Sequence, residues 1–532
     1  MSYVRKKIIR GRAYYYEVES VWEDGRSKQK VLRYLGTADK LVRRAEPATA
    51  RAAEVSVEES VHYGSVAALH AMASEVNLAP MVGRVIPKGG GPDIGKLFET
   101  MVINRCLEPV SRHRLPGWYE VTALPRLLEL PSDQVTDDVL YRALGYFTDD
   151  RISRIQQALW RTLREKGADA GRVFYDLTST YFEGHAVAMA RHGYSRDHRG
   201  DKVQINLAVA VNRQGFPITH KVLEGNIADV ATVQEANETL RDKFLVKDAV
   251  IVLDRGLMSD QNREALRAAN TPYIAGVRMD PSLQRFVASR PTSGFVQASP
   301  EDPRYFVQDA SHRGRRLVVV WNKEKQRDDY EWRMNALARA DGELGKVRDR
   351  SGSASLRTKT QVLAKARSVL KKHDVAAFLT LSVNARGPPR LSWRRDASKL
   401  RWEARWDGRF AIETNTSLPA AEVFWAYHER DVVEKFLQSM KSIVELRPVY
   451  VYKETHVKAH VFVCVTSVLL LQLLRDKLKE AGIPLSAVRA LERLDSVMEV
   501  AVKRGEELLR VLSRRGEDQM RLLAIAGAAS AL

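Results

Sequence analysis

The sequence predicts an α/β fold in which a core domain is interrupted by a largely β insertion domain, with helical regions at both ends. Two apolar, β-prone runs each carry an aspartate, RVFYDLTSTYFEG with Asp176 and DAVIVLDRGLMSD with Asp254. Much later, YHERDVVEKFLQSMK has the apolar spacing of an amphipathic helix and contains Glu434. The separation between Asp254 and Glu434 is far longer than a connection requires, so an inserted domain is expected there.

The overall charge indicates a polyanionic partner. The chain has 85 Lys or Arg and 66 Asp or Glu, a formal net charge of +19. Its isoelectric point is near 9.7. Such a balance favours binding to nucleic acid without identifying the nucleic acid.

Residues 1–45 are predicted to form a basic, hairpin-rich N-terminal segment. Aromatic residues alternate along YYYEVESVW, and a turn is expected from Glu23 to Gly25. The segment holds twelve Lys or Arg and five Asp or Glu. Basic residues interleaved with tyrosines favour contact with a DNA backbone, and an ordinary exposed sheet face is the alternative.

Residues 46–166 are predicted to form a mainly helical DNA-binding region. The helical pattern is clearest from about Pro92 to Lys166, and the family resemblance given below implies that a bundle for sequence-specific binding of DNA ends lies there. No clean helix-turn-helix signature is present in it. The candidate DNA contacts near its turns are Arg105, Arg112, His113, Arg114 and Trp118.

Residues 167–260 are predicted to form the first part of the core. Asp176 follows an apolar run and precedes small hydroxylated residues, as expected of an acid that projects from a strand near its end. Asp254 ends a second apolar run and precedes Arg255 and Gly256, which is typical of a strand-to-loop transition. For either acid, an aspartate that caps the next helix is the alternative.

The stretch between these two acids predicts the order of the core elements. We expect an alternating strand, a turn at residues 212–215, a further strand, and then a helix that starts near Asp229. The strand with Asp254 follows that helix.

Residues 261–405 are predicted to form the insertion domain. Its strand-like pieces are RYFVQDA, RRLVVVWN, AAFLTLSV and the start of LRWEARWDGRFAIETN, which indicate a largely β structure. Within it, residues 351–373 contain six Lys or Arg and no Asp or Glu. A basic run of this length predicts either a solvated helix or a DNA contact.

The window that contains Glu434 places four polar side chains on one stripe. At about 100° per residue, a continuous α-helix would hold all four within about 60° of one another. An intrahelical ion pair on a solvated face is the alternative. The four residues of the stripe are Tyr427, Arg430, Glu434 and Lys441, and the adjacent buried face is formed by Val433, Phe436, Leu437, Met440 and Val444.

Three acids on two strands and one helix predict a site for divalent metal ions. Two metals held about 3.5 to 4 Å apart by carboxylates can activate an attacking oxygen and stabilise a leaving oxygen at a phosphodiester. Mg²⁺, or Mn²⁺ in its place, keeps several waters, so Asp176, Asp254 and Glu434 suffice as protein ligands for two ions.

With these residues and spacings, the chain resembles the DDE transposases of bacterial insertion sequences, in the subgroup with the signature Tyr-x2-Arg-x3-Glu-x6-Lys. The resemblance extends over nearly the whole chain. It implies a ribonuclease-H-like core, with Asp176, Asp254 and Glu434 as the catalytic, metal-binding triad. It also implies that DNA phosphates next to the cut are bound by Tyr427, Arg430 and Lys441.

The resemblance further implies a metal-dependent enzyme that binds the inverted-repeat ends of double-stranded DNA, cuts them by way of a hairpin, and joins them to target DNA. A homodimer is expected to pair the two ends. In related enzymes an insertion-domain tryptophan holds a flipped base, and Trp393, Trp402 and Trp406 are the candidates. The alternatives are a derived DNA-binding protein that no longer cuts and a ribonuclease-H-like nuclease without transposition.

Residues 406–480 are predicted to complete the core, and residues 481–532 to form C-terminal helices, with helical stretches at about 453–481 and 485–526. The apolar stretch that begins at Val461 is shorter than the roughly 20 residues of a membrane span. Cys106 and Cys464 are expected to be buried thiols, with no disulfide framework and no zinc site. A cytoplasmic, nucleoid-associated protein without a membrane partner is therefore expected.

Overall fold

The computed structural model describes residues 2–9, 12–23, 26–36, 55–183, 187–193, 195, 199–227, 232–246, 248–384, 386–504 and 507–529. The fold is mixed α/β, as predicted. Contacts divide the chain into two compact units. Unit 1 consists of Met1–Ala228, Glu238–Val246 and Val432–Leu532, and unit 2 consists of Asp229–Asn237 and Lys247–Asp431.

The strands, in chain order, are β1 (Ser2–Ile9), β2 (Arg12–Glu23), β3 (Arg26–Gly36), β4 (Val55–His62), β5 (Arg172–Tyr181), β6 (Gln204–Asn212), β7 (Pro217–Glu224), β8 (Val250–Leu253), β9 (Tyr273–Gly276), β10 (Val296–Ser299), β11 (Asp302–His312), β12 (Arg315–Asn322), β13 (Leu379–Val383), β14 (Leu391–Arg395), β15 (Arg409–Thr414), β16 (Met498–Arg504) and β17 (Glu507–Leu512).

The α-helices are α1 (Gly64–Glu75), α2 (Leu78–Val85), α3 (Ile94–Leu107), α4 (Leu115–Glu120), α5 (Leu124–Leu127), α6 (Asp137–Leu144), α7 (Asp149–Glu165), α8 (Val233–Asp242), α9 (Asp260–Ala268), α10 (Pro281–Ala288), α11 (Lys323–Asp349), α12 (Lys359–Lys372), α13 (Ala397–Glu403), α14 (Ala420–His428), α15 (Asp431–Ser442), α16 (Glu454–Glu480), α17 (Ala487–Leu494) and α18 (Glu517–Ile525).

Helix α16 lies at the centre of unit 1. It packs against α1, α3, α6, α7, α17 and β7. Among the residues that the structure describes, it is the one helix long and apolar enough to cross a membrane, and 89% of its most apolar window is buried inside the protein. Burial in a helical core accounts for this apolar composition, because a helix that is apolar all round has to be covered on every side.

The two cysteines lie in this helical core, as predicted. Both are buried and free. Cys106 donates its Sγ–H to the carbonyl oxygen of Ser467 on α16, at 3.4 Å. Burial raises the pKa of both thiols, that of Cys464 to about 11. The thiols are therefore protonated core groups rather than nucleophiles.

The strands β5, β6 and β7 of unit 1 are antiparallel neighbours in that order. The predicted alternation along β6 is wrong, because every residue of this strand is buried. Its polar residues bond to the chain that follows β7: Asn206 donates to the carbonyl oxygen of Ile227 at 3.1 Å, and Gln204 donates to that of Gly225 at 3.3 Å. The predicted turn at residues 212–215 is present, whereas the predicted helix start at Asp229 lies outside the described residues.

The N-terminal end of the chain agrees with its prediction, and the C-terminal end is less helical than predicted. The N-terminal strands β1, β2 and β3 pair as antiparallel hairpins, as expected, although residues 24–25 of the predicted turn and 37–45 lie outside the described part. The continuous helix predicted over 485–526 is wrong. Strand β16 pairs with β4, so that Val500 faces Ser60. The alternating residues of β16 form a strand because a partner remote in sequence lies beside them.

Unit 2 holds a sheet with the strand order β10-β11-β12-β15-β9-β8. Strands β8 and β9 are parallel, and the other neighbours are antiparallel. The insertion predicted to be largely β is mixed instead, since it also contains the helices α11 and α12, which pack with β13 and β14 around one apolar cluster. A helical spacing of apolar residues within α11 is the signal that identifies it: Ala336, Leu337, Ala340, Leu344 and Val347, all of them buried.

We predict that Gly95→Ala destabilises unit 1. A Cβ at Gly95 would overlap the carbonyl oxygen of Ala79, because α2 and α3 approach each other closely here. Overpacking of this kind costs about 1 to 3 kcal/mol in the free energy of unfolding, which thermal or urea denaturation measures. The matched control is Gly117→Ala in α4, where a Cβ meets nothing within 4 Å. If Gly95→Ala is as stable as this control, the two helices are not in close contact.

Candidate active site

Asp254 lies at the point where a buried strand ends. It directly follows β8, whose last three residues are buried, so the predicted position at a strand end is confirmed. The Leu257 N–H donates to the Asp254 carbonyl oxygen at 3.0 Å and closes the turn. The side chain of Asp254 is 35% exposed. A carboxylate is therefore held by a rigid strand and is still accessible to solvent.

Two of the four signature residues lie near this acid within unit 2: Arg430 contacts Asp254, and Tyr427 contacts Arg430. The guanidinium of Arg430 lies 3.6 Å from the carboxylate of Asp254. The same guanidinium lies 5.5 Å from the ring centroid of Tyr427. Burial raises the pKa of the Tyr427 phenol, and the adjacent Arg430 opposes that shift. Tyr427, Arg430 and Asp254 thus form one cluster, which we call the Asp254 cluster.

Gly276 provides the space that Tyr427 occupies. It is the last residue of β9, the parallel neighbour of β8. A Cβ at Gly276 would overlap the Tyr427 hydroxyl and would approach the Cβ of Arg255 to 3.2 Å. Because Gly276 has no side chain, the Tyr427 ring has room beside it. The ring in turn lies against the guanidinium of Arg430.

The predicted single helix through all four signature residues is wrong. Helix α14 ends at His428, and α15 begins at Asp431. Arg430 lies in the turn between them, where its N–H donates to the carbonyl oxygen of Tyr427 at 3.1 Å, a bond three residues back instead of four. The stripe was expected on one continuous helix, and the helix is interrupted between Tyr427 and Glu434, so that expectation is not met. Tyr427 belongs to α14, while Glu434 and Lys441 belong to α15.

Helix α15 carries the other two signature residues in unit 1. Four of the five apolar residues expected on its buried face lie on it and are buried, and the fifth, Val444, is buried directly after the helix ends at Ser442. Glu434 is exposed and Lys441 is half-buried. Seven residues are close to two helical turns, so Glu434 and Lys441 lie on the same side of this helix.

Asp176 lies in the middle of β5, which corrects the prediction of a strand end. The strand continues to Tyr181 because residues 177–181 pair with residues 204–208 of β6. The Asp176 Oδ1 accepts a hydrogen bond from the Leu177 N–H at 2.8 Å, and the residue is half-buried. A carboxylate in the middle of a paired strand is held more rigidly than one in a loop.

The donor chemistry of the three acids fits Mg²⁺ or Mn²⁺. Each is a carboxylate that retains exposed surface, and such oxygens are the ligands that these hard cations prefer. Asp176 and Glu434 belong to unit 1, and Asp254 belongs to unit 2. Within the described part of the chain no group of three or more His, Cys, Asp or Glu is gathered as a metal site. The shared metal site stays a prediction.

The three candidate tryptophans differ in their surroundings, which the sequence had left open. Trp393 is half-buried against the apolar cluster of α11 and α12, and its indole N–H donates to Asp341 at 2.7 Å. Trp406 is half-buried against a second cluster, and Trp402 is half-buried in α13. Trp332 on α11 is 55% exposed and was not foreseen. It follows a run of charged residues, and that context is the signal for an exposed aromatic.

The basic run at 351–373 forms helix α12 with one buried and one charged face. The buried face packs into the same cluster as α11. The six cations are all exposed: Arg357, Lys359, Lys365, Arg367, Lys371 and Lys372. Lys372 pairs with Glu343 of α11 at 2.6 Å. An exposed charged face is compatible with both interpretations of the run, a solvated helix and a DNA contact.

A buried carboxylate lies on β15, the strand that pairs with β9, and was missed by the sequence analysis. Glu413 on β15 is fully buried. It accepts hydrogen bonds from Arg263 Nε at 2.6 Å, from Arg315 at 3.2 Å and from the Tyr273 hydroxyl at 2.8 Å. Burial, together with Glu413, raises the pKa of Tyr273 to about 12. The network joins β15, β9 and β12 to α9, the helix that follows Asp254.

Comparison with protein families gives one result. A family model described as "Transposase DDE domain" matches residues 167–470, more than half of the chain. The matched region contains all three acids and all four signature residues. Comparison with curated proteins gave no match.

We predict that Glu413→Ala destabilises unit 2 by about 3 to 5 kcal/mol, because the buried guanidinium of Arg263 loses its buried carboxylate partner and keeps only the exposed Asp260. Chemical denaturation measures the change in the free energy of unfolding. The control is Glu264→Ala, an exposed acid on the same helix as Arg263. Equal stability of the two variants would contradict a structural role for the network.

Proposed function

Because this chain belongs to the DDE transposase family, we propose that it is a DNA transposase that binds the inverted-repeat ends of an insertion sequence and cuts and joins them. In the proposed reaction the enzyme first cleaves one strand at each end. A hairpin then forms and is opened, as in the subgroup with this signature, and the freed ends are finally transferred into target DNA. The chain is then an enzyme that hydrolyses and transesterifies phosphodiesters.

The observation that carries the proposal is the Asp254 cluster. Tyr427 and Arg430 follow Asp254 by 173 and 176 positions in the sequence, so no local pattern brings them to this acid. Arg430 nevertheless lies 3.6 Å from Asp254. A guanidinium beside a carboxylate at the end of a core strand is suited to bind a phosphate oxygen next to a metal-binding acid. This pairing supports the reading of Tyr427, Arg430, Glu434 and Lys441 as one functional signature.

We propose that Asp176, Asp254 and Glu434 hold two Mg²⁺ or Mn²⁺ ions, on a ribonuclease-H-like core. When bound, these ions supply activation of the attacking oxygen and stabilisation of the leaving oxygen. Asp176 and Asp254 present their carboxylates from the rigid β5 and from the end of β8. Glu434 presents its carboxylate from the exposed side of α15.

The remaining signature residues are proposed to bind and orient the DNA. Arg430 binds a phosphate while it also neutralises Asp254. Tyr427 supports the Arg430 guanidinium through its ring. Lys441, two turns after Glu434, attracts a phosphate as a point charge. These side chains bring the scissile phosphodiester to the acids.

Further contacts to DNA are proposed for the basic N-terminal segment, the region at 46–166 and the exposed face of α12. A homodimer that pairs two ends would prevent cutting at one end alone. Trp332, exposed on α11, joins the candidates for a residue that stacks on a flipped base. The proposed location is the bacterial cytoplasm, at the nucleoid.

Two other functions share some of these features. A domesticated DNA-binding protein would bind ends without cutting them, and the presence of all three acids favours the enzyme. A ribonuclease-H-like nuclease would cut without pairing or joining ends. The distinguishing measurement is whether the purified protein joins paired ends to a target duplex.

We predict that Asp176→Ala, Asp254→Ala and Glu434→Ala each abolish cleavage of end DNA and leave end binding largely intact, because each change removes a metal ligand and not a phosphate anchor. Cleavage is measured on a labelled end duplex with Mg²⁺ or Mn²⁺, and binding by electrophoretic mobility shift. Glu422→Ala, an exposed acid in the first turn of α14, is the control and keeps activity. Near wild-type cleavage by any of the three variants removes that residue from the triad.

We predict a different defect for Arg430→Ala and Lys441→Ala. Each removes one cation from the DNA interface, so the slope of log affinity against log salt decreases by about one unit. Affinity for end DNA is measured over a series of salt concentrations. Lys372→Ala, which lies on α12, tests the basic helix in the same way. Unchanged slopes for Arg430→Ala and Lys441→Ala would show that neither side chain contacts a DNA phosphate.

A further inference from the structure

The segment between α15 and α16 presents two tyrosines to solvent. Tyr450 is 67% exposed and Tyr452 is 56% exposed, while Val451 between them is buried. Val451 anchors the segment to unit 1, so the two rings are held on its outer surface. Large aromatic side chains are costly to leave in water unless a partner covers them.

Two cations lie over a third tyrosine at one end of this segment. The guanidinium of Arg447 is 4.6 Å from the ring centroid of Tyr181, the last residue of β5. The guanidinium of Arg199 is 5.0 Å from the same centroid, and it also pairs with Asp201 at 2.9 Å. Tyr181 thus carries a positively charged cluster at the end of a core strand.

The other end of the segment has a similar arrangement around a fourth tyrosine. Arg112 lies 4.4 Å and Lys453 lies 5.5 Å from the ring centroid of Tyr141 on α6. The hydrogen bond between the phenols of Tyr452 and Tyr141 raises the pKa of Tyr141. Arg112 also pairs with Asp137 at 2.9 Å. The segment therefore runs from one cluster of tyrosine and cations to another.

We call this surface of unit 1 the tyrosine strip, and we define it by its eight residues: Tyr141, Tyr181, Tyr450, Tyr452, Arg112, Arg199, Arg447 and Lys453. Aromatic rings interleaved with cations are the arrangement that binds single strands, since bases stack on the rings and phosphates follow the charges. In a duplex the base faces are covered by neighbouring pairs, so the rings would find no partner there. The composition of the strip favours an unpaired strand over a duplex.

We propose that the tyrosine strip binds unpaired nucleotides of a DNA strand, with Tyr450 and Tyr452 stacking on bases and Arg447 and Lys453 contacting phosphates. The proposal rests on the proposed function for its choice of DNA, since a protein that opens DNA ends has to hold the separated strand. The strip adds a binding surface beyond the three acids and the signature residues.

The test uses the full-length protein and fluorescence anisotropy with a labelled DNA single strand and its matched duplex. Tyr450→Ala with Tyr452→Ala should weaken binding of the single strand about 10-fold or more and change duplex binding about 2-fold at most, because base stacking is removed and the cations remain. The matching variant Tyr450→Phe with Tyr452→Phe should bind the strand as the wild type does. Tyr330→Ala, an exposed tyrosine of unit 2, is the control for loss of any surface ring.

Several outcomes would overturn the proposal. Wild-type affinity of the double Ala variant for the single strand would show that the rings do not stack on bases. An equal loss for strand and duplex would identify a duplex contact. With a labelled RNA strand of the same sequence as a third probe, a clear preference for RNA would identify RNA as the ligand. Melting curves of the variants exclude a folding defect. If the wild type cuts no DNA ends but the double Ala variant still loses strand binding, the proposed function fails and the tyrosine strip is supported.

Discussion

The buried carboxylate of Glu413 is the constraint on which the architecture of unit 2 depends. An uncompensated charge cannot remain in a protein interior, so the side chains around Glu413 must supply donors. Arg263, Arg315 and Tyr273 do so from a helix and two strands. Arg263 lies on the helix that follows Asp254, so the same network that satisfies the buried charge also fixes the chain directly after the acid.

The Asp254 cluster shares strand β9 with the Glu413 network. Strand β9 supplies Gly276, whose missing side chain leaves room for the Tyr427 ring, and the ring supports Arg430. Arg430 lies in the short turn between α14 and α15, and from there its guanidinium pairs with Asp254. A structural carboxylate, a glycine and a helix interruption thus act together on one arginine.

The main constraint in unit 1 is the apolar surface of helix α16. A helix with a mean hydropathy of 1.9 over its most apolar window needs cover on all sides, and six neighbouring elements provide it. Once the apolar surface is enclosed, polar and aromatic residues of the flanking segments are left for the outside. The central part of the tyrosine strip lies in such a segment, directly before α16, where Val451 is buried and Tyr450 and Tyr452 are exposed.

The sequence by itself determined the strand that carries Asp176, the strand that ends before Asp254, the buried face of α15 and the family, because apolar periodicity and a spaced motif are local properties. Only the tertiary structure decided that residues 498–504 form a strand, since their partner lies at 55–62. It also decided that the signature spans two helices and that Arg430 pairs with Asp254. Turns and ion pairs of this kind depend on neighbours far along the chain, and no local pattern encodes those neighbours.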